Sequence, residues 1–356
     1  MKRDYAEDLF NSIEPIVFSP VFLRMHKTVH IAIIKDSYDK DENGKFELDD
    51  DYKIEIAFEK LPVFQIGLQS FSDNVIQEIN KSLDTKTVSN DETEFTESTR
   101  PALQNDDYYK HYNPYKLRDK NPSGGTSVIN NQLHKDFSGS LGLAFKLKNH
   151  TGSYFLSNFH VLARRKELNV KRYETIIHPS KSDTYDNNTS DLNPIATLFW
   201  FNLDEYVDAA IAKSNCEKSI GSGIRCLPNL KIEGVDSPEI GQNVMKCGRS
   251  TNLTHGVIRS DRCTVLIKDK YKLVSKTGSR IFKDQILTKC MSLAGDSGSV
   301  LLKSAKNGHS TSALGLLFAG DSENYSYHNK LNNIFYRLIG DSEYLIMPKL
   351  DFDNFL

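Results

Sequence analysis

The stretch Ala294-Gly295-Asp296-Ser297-Gly298-Ser299-Val300-Leu301-Leu302 sets one serine between two glycines and then becomes apolar. Glycines let the backbone turn tightly and direct its N–H groups toward one point. The apolar end predicts a buried strand that fixes the turn. A polar loop before a strand has the same composition, because Gly, Asp and Ser are common turn residues. A serine becomes a nucleophile only beside a histidine base and donors for an oxyanion.

Composition excludes several classes of protein. The chain has 356 residues, 38% of them hydrophobic, and a net charge of −2 with acids and bases interspersed. We therefore expect neither a nucleic acid nor a membrane surface as partner. No apolar stretch approaches the roughly 18 residues of a transmembrane helix. The first residues lack a continuous apolar run and are followed by Pro15 and Pro20, so we expect no secretory signal.

The cysteines bear on compartment and metal binding. There are five, an odd number at wide spacing, with no Cys-x-x-C pair and no cluster with histidine: Cys216, Cys226, Cys247, Cys263 and Cys290. This pattern predicts free thiols, no disulfide framework and no metal site. We therefore expect a reducing, cytoplasmic location and no cofactor.

The chain divides into three parts by composition. Residues 1–81 predict an N-terminal extension with a short helix and a β-hairpin, whose strands are expected at 27–36 and 52–58. The acidic segment between those strands lacks the spacing of a calcium loop and is interpreted as a turn. Residues 82–124 are polar and rich in Asn and Tyr, typical of a linker or surface segment. Residues 125–356 show many short strands separated by glycine turns and one helix at Asn329–Ile339, which predicts a mainly β, barrel architecture.

Two residues upstream of Ser297 could complete a reactive site. His160 follows an apolar strand pattern, so its ring could be held rigidly against a cleft. Asp208 is the one acid in an apolar run; an ionised carboxylate is costly to bury without partners, which favours a role in orienting the histidine. Asp204 and Glu205 are nearby alternatives in a more polar stretch. The alternative interpretation of His160 is a core or surface histidine whose hydrogen bonds are satisfied. The alternative interpretation of Asp208 is a turn residue at the start of a strand.

The order His160, Asp208, Ser297 resembles that of the trypsin-like (chymotrypsin-fold) serine peptidases, over about residues 124–339. Gly295-Asp296-Ser297-Gly298 matches that family's nucleophile signature. Ser157-Asn158-Phe159-His160-Val161-Leu162-Ala163 resembles the Ser-Asn-x-His-Val-Leu-Ala motif of the bacterial branch and its plant relatives. Two further segments resemble family motifs, Lys246–Gly256 and Gly315–Gly320, the second of them the strand beside the primary specificity pocket.

The resemblance implies a fold and a mechanism. It implies two six-stranded antiparallel β-barrels with the triad between them, and a serine endopeptidase in residues 125–356 that acts on proteins or peptides without a cofactor. Ser297 would attack the scissile carbonyl, His160 would serve as base and then acid, and Asp208 would hold its tautomer. The backbone N–H groups of Gly295 and Ser297 would form the oxyanion hole.

The expected specificity and regulation of this chain differ from those of the best-known members of the family. The pocket is expected at Met291, Phe318 and Gly320, and an apolar Met291 six residues before the nucleophile favours a medium or large apolar P1 side chain. Phe318 stands where the family offers a hydroxyl to the triad acid. No basic residue followed by Ile-Val-Gly-Gly precedes residue 138, so a zymogen switch at Asp296 is not expected.

A second interpretation belongs to another class of protein. The chain could be an inactive or latent peptidase fold that binds a partner, with its cleft gated by the N-terminal region. A protein partner would then select the substrate or relieve autoinhibition.

Overall fold

Two antiparallel β-sheets of barrel-like character contain about half of the residues that the structure describes. The computed structural model describes residues 2–19, 23, 28–35, 52–58, 64–66, 119–134, 137–147, 150–163, 173–184, 192–215, 220–221, 223–268, 278–304, 309–320 and 324–340. Its helices are α1 (Arg3–Val17), α2 (Phe159–Leu162) and α3 (Leu331–Gly340), with a 3₁₀ turn at Lys181–Asp183. In this part of the chain no helix is both long and apolar enough to cross a membrane.

The first sheet has seven strands and builds the half of the molecule that carries His160. Its members in chain order are β4 (Ser127–Asn130), β5 (Gly139–Ser140), β6 (Ala144–Phe145), β7 (Tyr154–Ser157), β8 (Thr175–His178), β9 (Asn193–Leu203) and β10 (Asp208–Ser214). Their spatial order is β5-β4-β8-β9-β10-β7-β6. One apolar cluster, which includes Val128, Phe155 and Leu198, fills its interior.

The second sheet has ten strands and carries Ser297 in a loop. Its members are β1 (Thr28–Lys35), β2 (Tyr52–Phe58), β3 (Phe64–Ile66), β11 (Lys231–Val235), β12 (Asn243–Gly248), β13 (Asn252–Lys268), β14 (Ser279–Lys289), β15 (Val300–Lys303), β16 (Ser310–Gly320) and β17 (Tyr325–Lys330). The order is β12-β15-β16-β17-β14-β13-β1-β2-β3, and β11 pairs in parallel with β16.

The two sheets share a core that α3 closes. This cluster includes Trp200 from the first sheet, Leu302 from the second and Phe335 from α3. The Phe335 ring meets the Phe145 ring edge to face at a centroid distance of 6.1 Å, a favourable aromatic geometry. The C-terminal helix therefore fixes the second sheet against the first.

The N-terminal strands are part of the second sheet. β1 pairs with β13, with Ile31 opposite Thr264. Ile31 and Ile33 belong to an apolar cluster with α1, while Ala32 and Ile34 belong to a cluster with Phe282 of β14. Because successive side chains of a strand point to opposite faces, β1 is covered on both faces, which explains its unbroken apolar run Ile31-Ala32-Ile33-Ile34.

The prediction of a mainly β protein with two antiparallel sheets and a C-terminal helix is confirmed. Among the described residues the strand numbers differ from the expected six in each barrel, since the sheets have seven and ten strands and three of the ten come from residues before 67. The helix starts at Leu331 rather than at Asn329, because Asn329 still pairs in β17. The turn expected between β1 and β2, and residues 82–118 of the expected linker, lie outside the described residues.

The expectation that every thiol is free was wrong for two cysteines. Cys226 and Cys247 form a disulfide with a Cα–Cα distance of 6.0 Å, within the usual range. It ties the segment that connects the two sheets to β12, a long-range contact that their spacing of 21 residues does not reveal. Cys263 and Cys290 have free thiols, and Cys216 lies outside the described residues. The cytoplasmic location stays a prediction, without the support that free cysteines gave it.

Candidate active site

His160 and Asp208 form a hydrogen-bonded pair at one end of the first sheet. His160 Nδ1 lies 2.6 Å from Asp208 Oδ2, and the His160 backbone N–H donates to Asp208 Oδ1 at 3.2 Å. The carboxylate is 1% exposed and the imidazole 15%. A carboxylate oxygen accepts hydrogen bonds, so the imidazole tautomer with its proton on Nδ1 fits this contact. This is the tautomer that a general base requires.

The position of His160 follows from packing on either side of it. The sequence predicted His160 at the end of a strand. In the structure β7 ends at Ser157, and His160 lies in the single turn of α2. Phe159 and Val161 are buried on both sides of it, and the Phe159 ring contacts the Phe201 ring at a centroid distance of 5.8 Å. These neighbours anchor the turn, while the imidazole itself stays partly exposed.

Two asparagines hold the backbone of Asp208. The Asp208 N–H donates to Asn329 Oδ1 at 3.0 Å, and Asn158 Nδ2 donates to the Asp208 carbonyl at 2.9 Å. Asn329 is completely buried in β17 and also donates to Gln285 Oε1 at 2.6 Å. The acid is therefore fixed through its main chain from both sheets.

The Ser297 loop needs glycine on both sides of Asp296-Ser297. Gly295 has φ +96° and Gly298 has φ +94°, a region that residues with a Cβ rarely occupy. A Cβ at Gly298 would also collide with Ser157 Oγ and the Ser140 carbonyl. The loop thus packs directly on the end of β7, three residues before His160.

Asp296 anchors the same loop from inside. It is completely buried, and its carboxylate accepts from Thr251 Oγ1 at 2.6 Å, from the Ser250 N–H at 2.8 Å and from the Leu293 N–H at 3.0 Å. Lys246 Nζ, also buried, lies 3.2 Å from Asp296 Oδ2. Burial lowers the pKa of the Lys246 ammonium, and the Asp296 carboxylate opposes that shift.

Two backbone N–H groups of the loop have no acceptor among the described residues. The N–H groups of Asp296, Gly298 and Ser299 donate to backbone carbonyls. Within the described part of the chain, those of Gly295 and Ser297 do not donate. Unpaired donors in an otherwise saturated loop are the arrangement that an oxyanion hole requires. They are the two groups that the sequence motif singled out.

Ser297 is held at the junction of the sheets. The Ser140 N–H donates to the Ser297 carbonyl at 2.7 Å, and Ser157 Oγ donates to the Ser140 carbonyl at 2.8 Å. Ser297 is half-buried, as His160 is. Among the described residues no hydrogen bond joins Ser297 Oγ to His160. The structure thus pairs two of the three predicted residues and places the third in the loop packed on the end of β7.

The three residues expected in the specificity pocket have different environments. Met291 lies in a core cluster with Val244 and Leu301, and Phe318 packs on Phe282 at a centroid distance of 4.8 Å. Gly320 ends β16, where a Cβ would lie 3.0 Å from Ser292 Oγ.

A pair of serine hydroxyls beside Gly320 was missed by sequence reasoning. Ser292 Oγ and Ser326 Oγ lie 2.7 Å apart, and both residues are buried. Ser326 is in β17 and Ser292 follows β14, so their contact depends on sheet pairing. The preference for an apolar P1 side chain stays a prediction.

The described residues contain no group of three or more His, Cys, Asp or Glu side chains placed to hold a metal ion. The reactive groups gathered around the Ser297 loop are a hydroxyl, an imidazole, a carboxylate and backbone donors.

No family model and no curated protein match the chain. Solved structures that resemble it include proteases at low sequence identity. Thermobifida fusca Protease A is 14% identical with a TM-score of 0.43, over 61% of this chain and 96% of that one. A Cellulomonas bogoriensis chymotrypsin is 16% identical with a TM-score of 0.41, over 60% and 93%. A glutamic acid specific serine protease is 15% identical with a TM-score of 0.40, over 60% and 96%.

Proposed function

We propose that this protein is a serine endopeptidase that hydrolyses peptide bonds through Ser297, His160 and Asp208. The observation that carries the proposal is the 2.6 Å hydrogen bond between His160 Nδ1 and Asp208 Oδ2. It prepares Nε2 as a base at the sheet junction where the Ser297 loop packs. The unpaired N–H groups of Gly295 and Ser297 supply the complementary donors.

In this mechanism, Ser297 Oγ adds to the scissile carbonyl carbon as its proton passes to His160 Nε2. The carbonyl oxygen becomes an oxyanion, bound by the N–H groups of Gly295 and Ser297. Collapse breaks the C–N bond, and His160 returns the proton to the leaving amine. Water then repeats the sequence on the acyl-enzyme and releases the acid. Asp208 stabilises the imidazolium in both halves and stays ionised.

The missing hydrogen bond between Ser297 and His160 is compatible with this mechanism. Catalytic hydrogen bonds are often long without substrate and tighten when it binds. The substrate class is a protein or peptide, and a medium or large apolar P1 side chain is part of the proposal. Cleavage-site profiling of proteome-derived peptides with wild type and Ser297→Ala measures that preference. Cleavage mainly after charged residues would contradict it.

Covalent labelling tests the reaction itself. A fluorophosphonate probe is expected to modify wild-type protein at Ser297, because an activated serine oxygen attacks its phosphorus. Ser297→Ala and His160→Ala are expected to remain unlabelled. Folded wild type that takes up no probe, or labelling that persists in Ser297→Ala, contradicts the proposal.

A second candidate is a latent peptidase whose cleft is gated until a protein partner acts, and the observation that favours it is that the N-terminal strands β1–β3 belong to the sheet that carries the Ser297 loop. Deleting the whole N-terminal region is an unsuitable test, because Ala32 and Ile34 of β1 fill a core cluster of the second sheet. Removal of residues 82–118 alone retains β1–β3. A labelling rate at least about tenfold above that of the full chain supports latency, and an equal rate argues against it.

A further inference from the structure

Two serine hydroxyls fix the peptides on either side of Gly295. Ser250 Oγ donates to the Ala294 carbonyl at 2.7 Å, and Ser140 Oγ donates to the Gly295 carbonyl at 3.1 Å. In a planar trans peptide the C=O and N–H groups point in opposite directions. The bond to the Ala294 carbonyl therefore sets the direction of the Gly295 N–H, one of the two unpaired donors.

Arg249 holds both hydroxyls. Its backbone N–H donates to Ser140 Oγ at 3.0 Å, and its Nη1 donates to Ser250 Oγ at 3.1 Å. The guanidinium also lies directly on Gly295, where a Cβ would collide with Arg249 Nη1 and Ser250 Oγ. The orientation of the Ala294–Gly295 peptide thus depends on where this one side chain is held.

The guanidinium is held from the first sheet. Arg249 Nε donates to Asp183 Oδ2 at 2.6 Å, and Nη2 donates to Asp183 Oδ1, a bidentate pair. The two side chains are 9% and 1% exposed. Ser127 Oγ and Ser180 Oγ both donate to Asp183 Oδ2, at 2.5 and 2.8 Å. A buried, two-point contact of this kind fixes the plane of the guanidinium as well as its position.

We propose that Arg249 is a positioning residue for the oxyanion donors, anchored on Asp183 and acting through Ser250 and Ser140. The inference rests on the proposed peptidase function. Donors that are fixed in advance stabilise the oxyanion without reorganisation. A Gly295 peptide free to rotate would lose that advantage. The oxyanion exists only after attack, so the loss appears in the acylation rate and not in substrate binding.

Two variants separate this role from a stabilising ion pair. Arg249→Lys keeps the charge but cannot bind Asp183 and Ser250 through one rigid plane. Ser250→Ala leaves the ion pair intact and removes the bond to the Ala294 carbonyl. Ser182→Ala is the matched control, because Ser182 Oγ accepts from Arg249 Nη2 at 3.2 Å and has no bond to the Ser297 loop among the described residues.

The experiment follows p-nitrophenyl acetate with the full chain, in a saturation series that separates the acylation rate constant from the apparent Kd. We expect Arg249→Lys and Ser250→Ala to lower the rate constant about 10- to 100-fold, against the ~10²–10³ lost with a whole oxyanion donor. The apparent Kd should change less than about threefold, and Ser182→Ala should match wild type. The melting temperature of Ser250→Ala should stay within about a degree of wild type.

The outcomes separate a failure of the proposed function from a failure of the role of Arg249. Wild type that releases no more p-nitrophenol than Ser297→Ala overturns the proposed function and this role with it. An active wild type with a Ser250→Ala rate constant within about twofold of it overturns the role of Arg249 alone. That role is also overturned if Ser182→Ala loses as much activity as Ser250→Ala, or if the loss is entirely in the apparent Kd.

Discussion

Lys246 and Asp296 place two opposite charges, both completely buried, within the support of the Ser297 loop. A buried carboxylate that loses its cation is destabilised by several kcal/mol unless it takes up a proton. Either result disturbs Asp296, whose carboxylate also binds the Leu293 and Ser250 N–H groups. The geometry of the loop therefore depends on the protonation of one lysine.

That dependence predicts an alkaline limb in the pH profile of activity. Burial lowers the pKa of Lys246 from its ordinary 10.5, so the ammonium loses its proton, and Asp296 its cation, at a lower pH than an exposed lysine would. Activity should fall as the pH rises through that lowered pKa. Lys246→Arg, which stays charged, should move the fall to higher pH. Lys246→Met should lose activity at every pH, and identical profiles for wild type and Lys246→Arg would refute the idea.

The burial of His328 predicts that the free energy of unfolding falls at acidic pH. Complete burial lowers its pKa from 6.5 to about 3, with a smaller contribution from the Lys246 charge. Below pH 6.5 the unfolded chain binds a proton that the folded chain does not, so the free energy of unfolding falls as the pH falls. The slope is at most about 1.4 kcal/mol per pH unit and levels off near pH 3. Urea unfolding between these limits should show a shallower slope for His328→Asn, and parallel curves would count against the burial argument.

At the scale of the elements, β1 carries its own prediction. Ile34 is buried in the cluster that joins the N-terminal extension to the second sheet. Ile34→Ala should lower the free energy of unfolding by about 2–5 kcal/mol, the cost of a buried cavity. Glu233→Ala, on the exposed side of β11, is the control and should change it by less than about 0.5 kcal/mol. Denaturant unfolding measures both, and a cost below about 1 kcal/mol for Ile34→Ala would show that β1 is only loosely attached.

The sequence predicts most elements whose burial is local and misjudges those that depend on a distant partner. The apolar run Val300-Leu301-Leu302 predicts β15, because short apolar runs identify buried strands. β13, in contrast, runs unbroken from Asn252 to Lys268 across the polar residues 259–262, which no local apolar pattern predicts. In the structure α1 binds this polar stretch: Arg3 Nη1 donates to Asp261 Oδ1 at 2.9 Å, and Arg262 Nη2 donates to Asn11 Oδ1 at 2.7 Å. Contacts between residues about 250 positions apart leave no local pattern.

At the scale of the molecule, the residues of the candidate site also fall into two groups, those that local motifs predict and those that depend on distant partners. The Gly-Asp-Ser-Gly and Ser-Asn-x-His motifs are local, so His160 and Ser297 could be singled out from the sequence. The residues that orient them are not local. Asn329 reaches Asp208 across 121 residues, and Arg249 reaches Asp183 across 66. An isolated asparagine or arginine gives no sign of its partner before the sheets are paired, so the candidate residues could be named from the sequence and the residues that support them could not.

The Cys226–Cys247 disulfide is a covalent long-range contact. It joins the segment that connects the two sheets to β12, the strand that carries Lys246. Peptide mapping of unreduced protein, alkylated in denaturant, should show both cysteines unmodified and their peptides joined. Closing a loop of about 20 residues stabilises a fold by roughly 3 kcal/mol, so Cys226→Ser should lower the free energy of unfolding by about that much. Cys290→Ser, which removes a free thiol, is the matched control and should have little effect. Alkylation of both cysteines without reductant, or equal stability of the two variants, would mean that noncovalent packing alone joins the connector to β12.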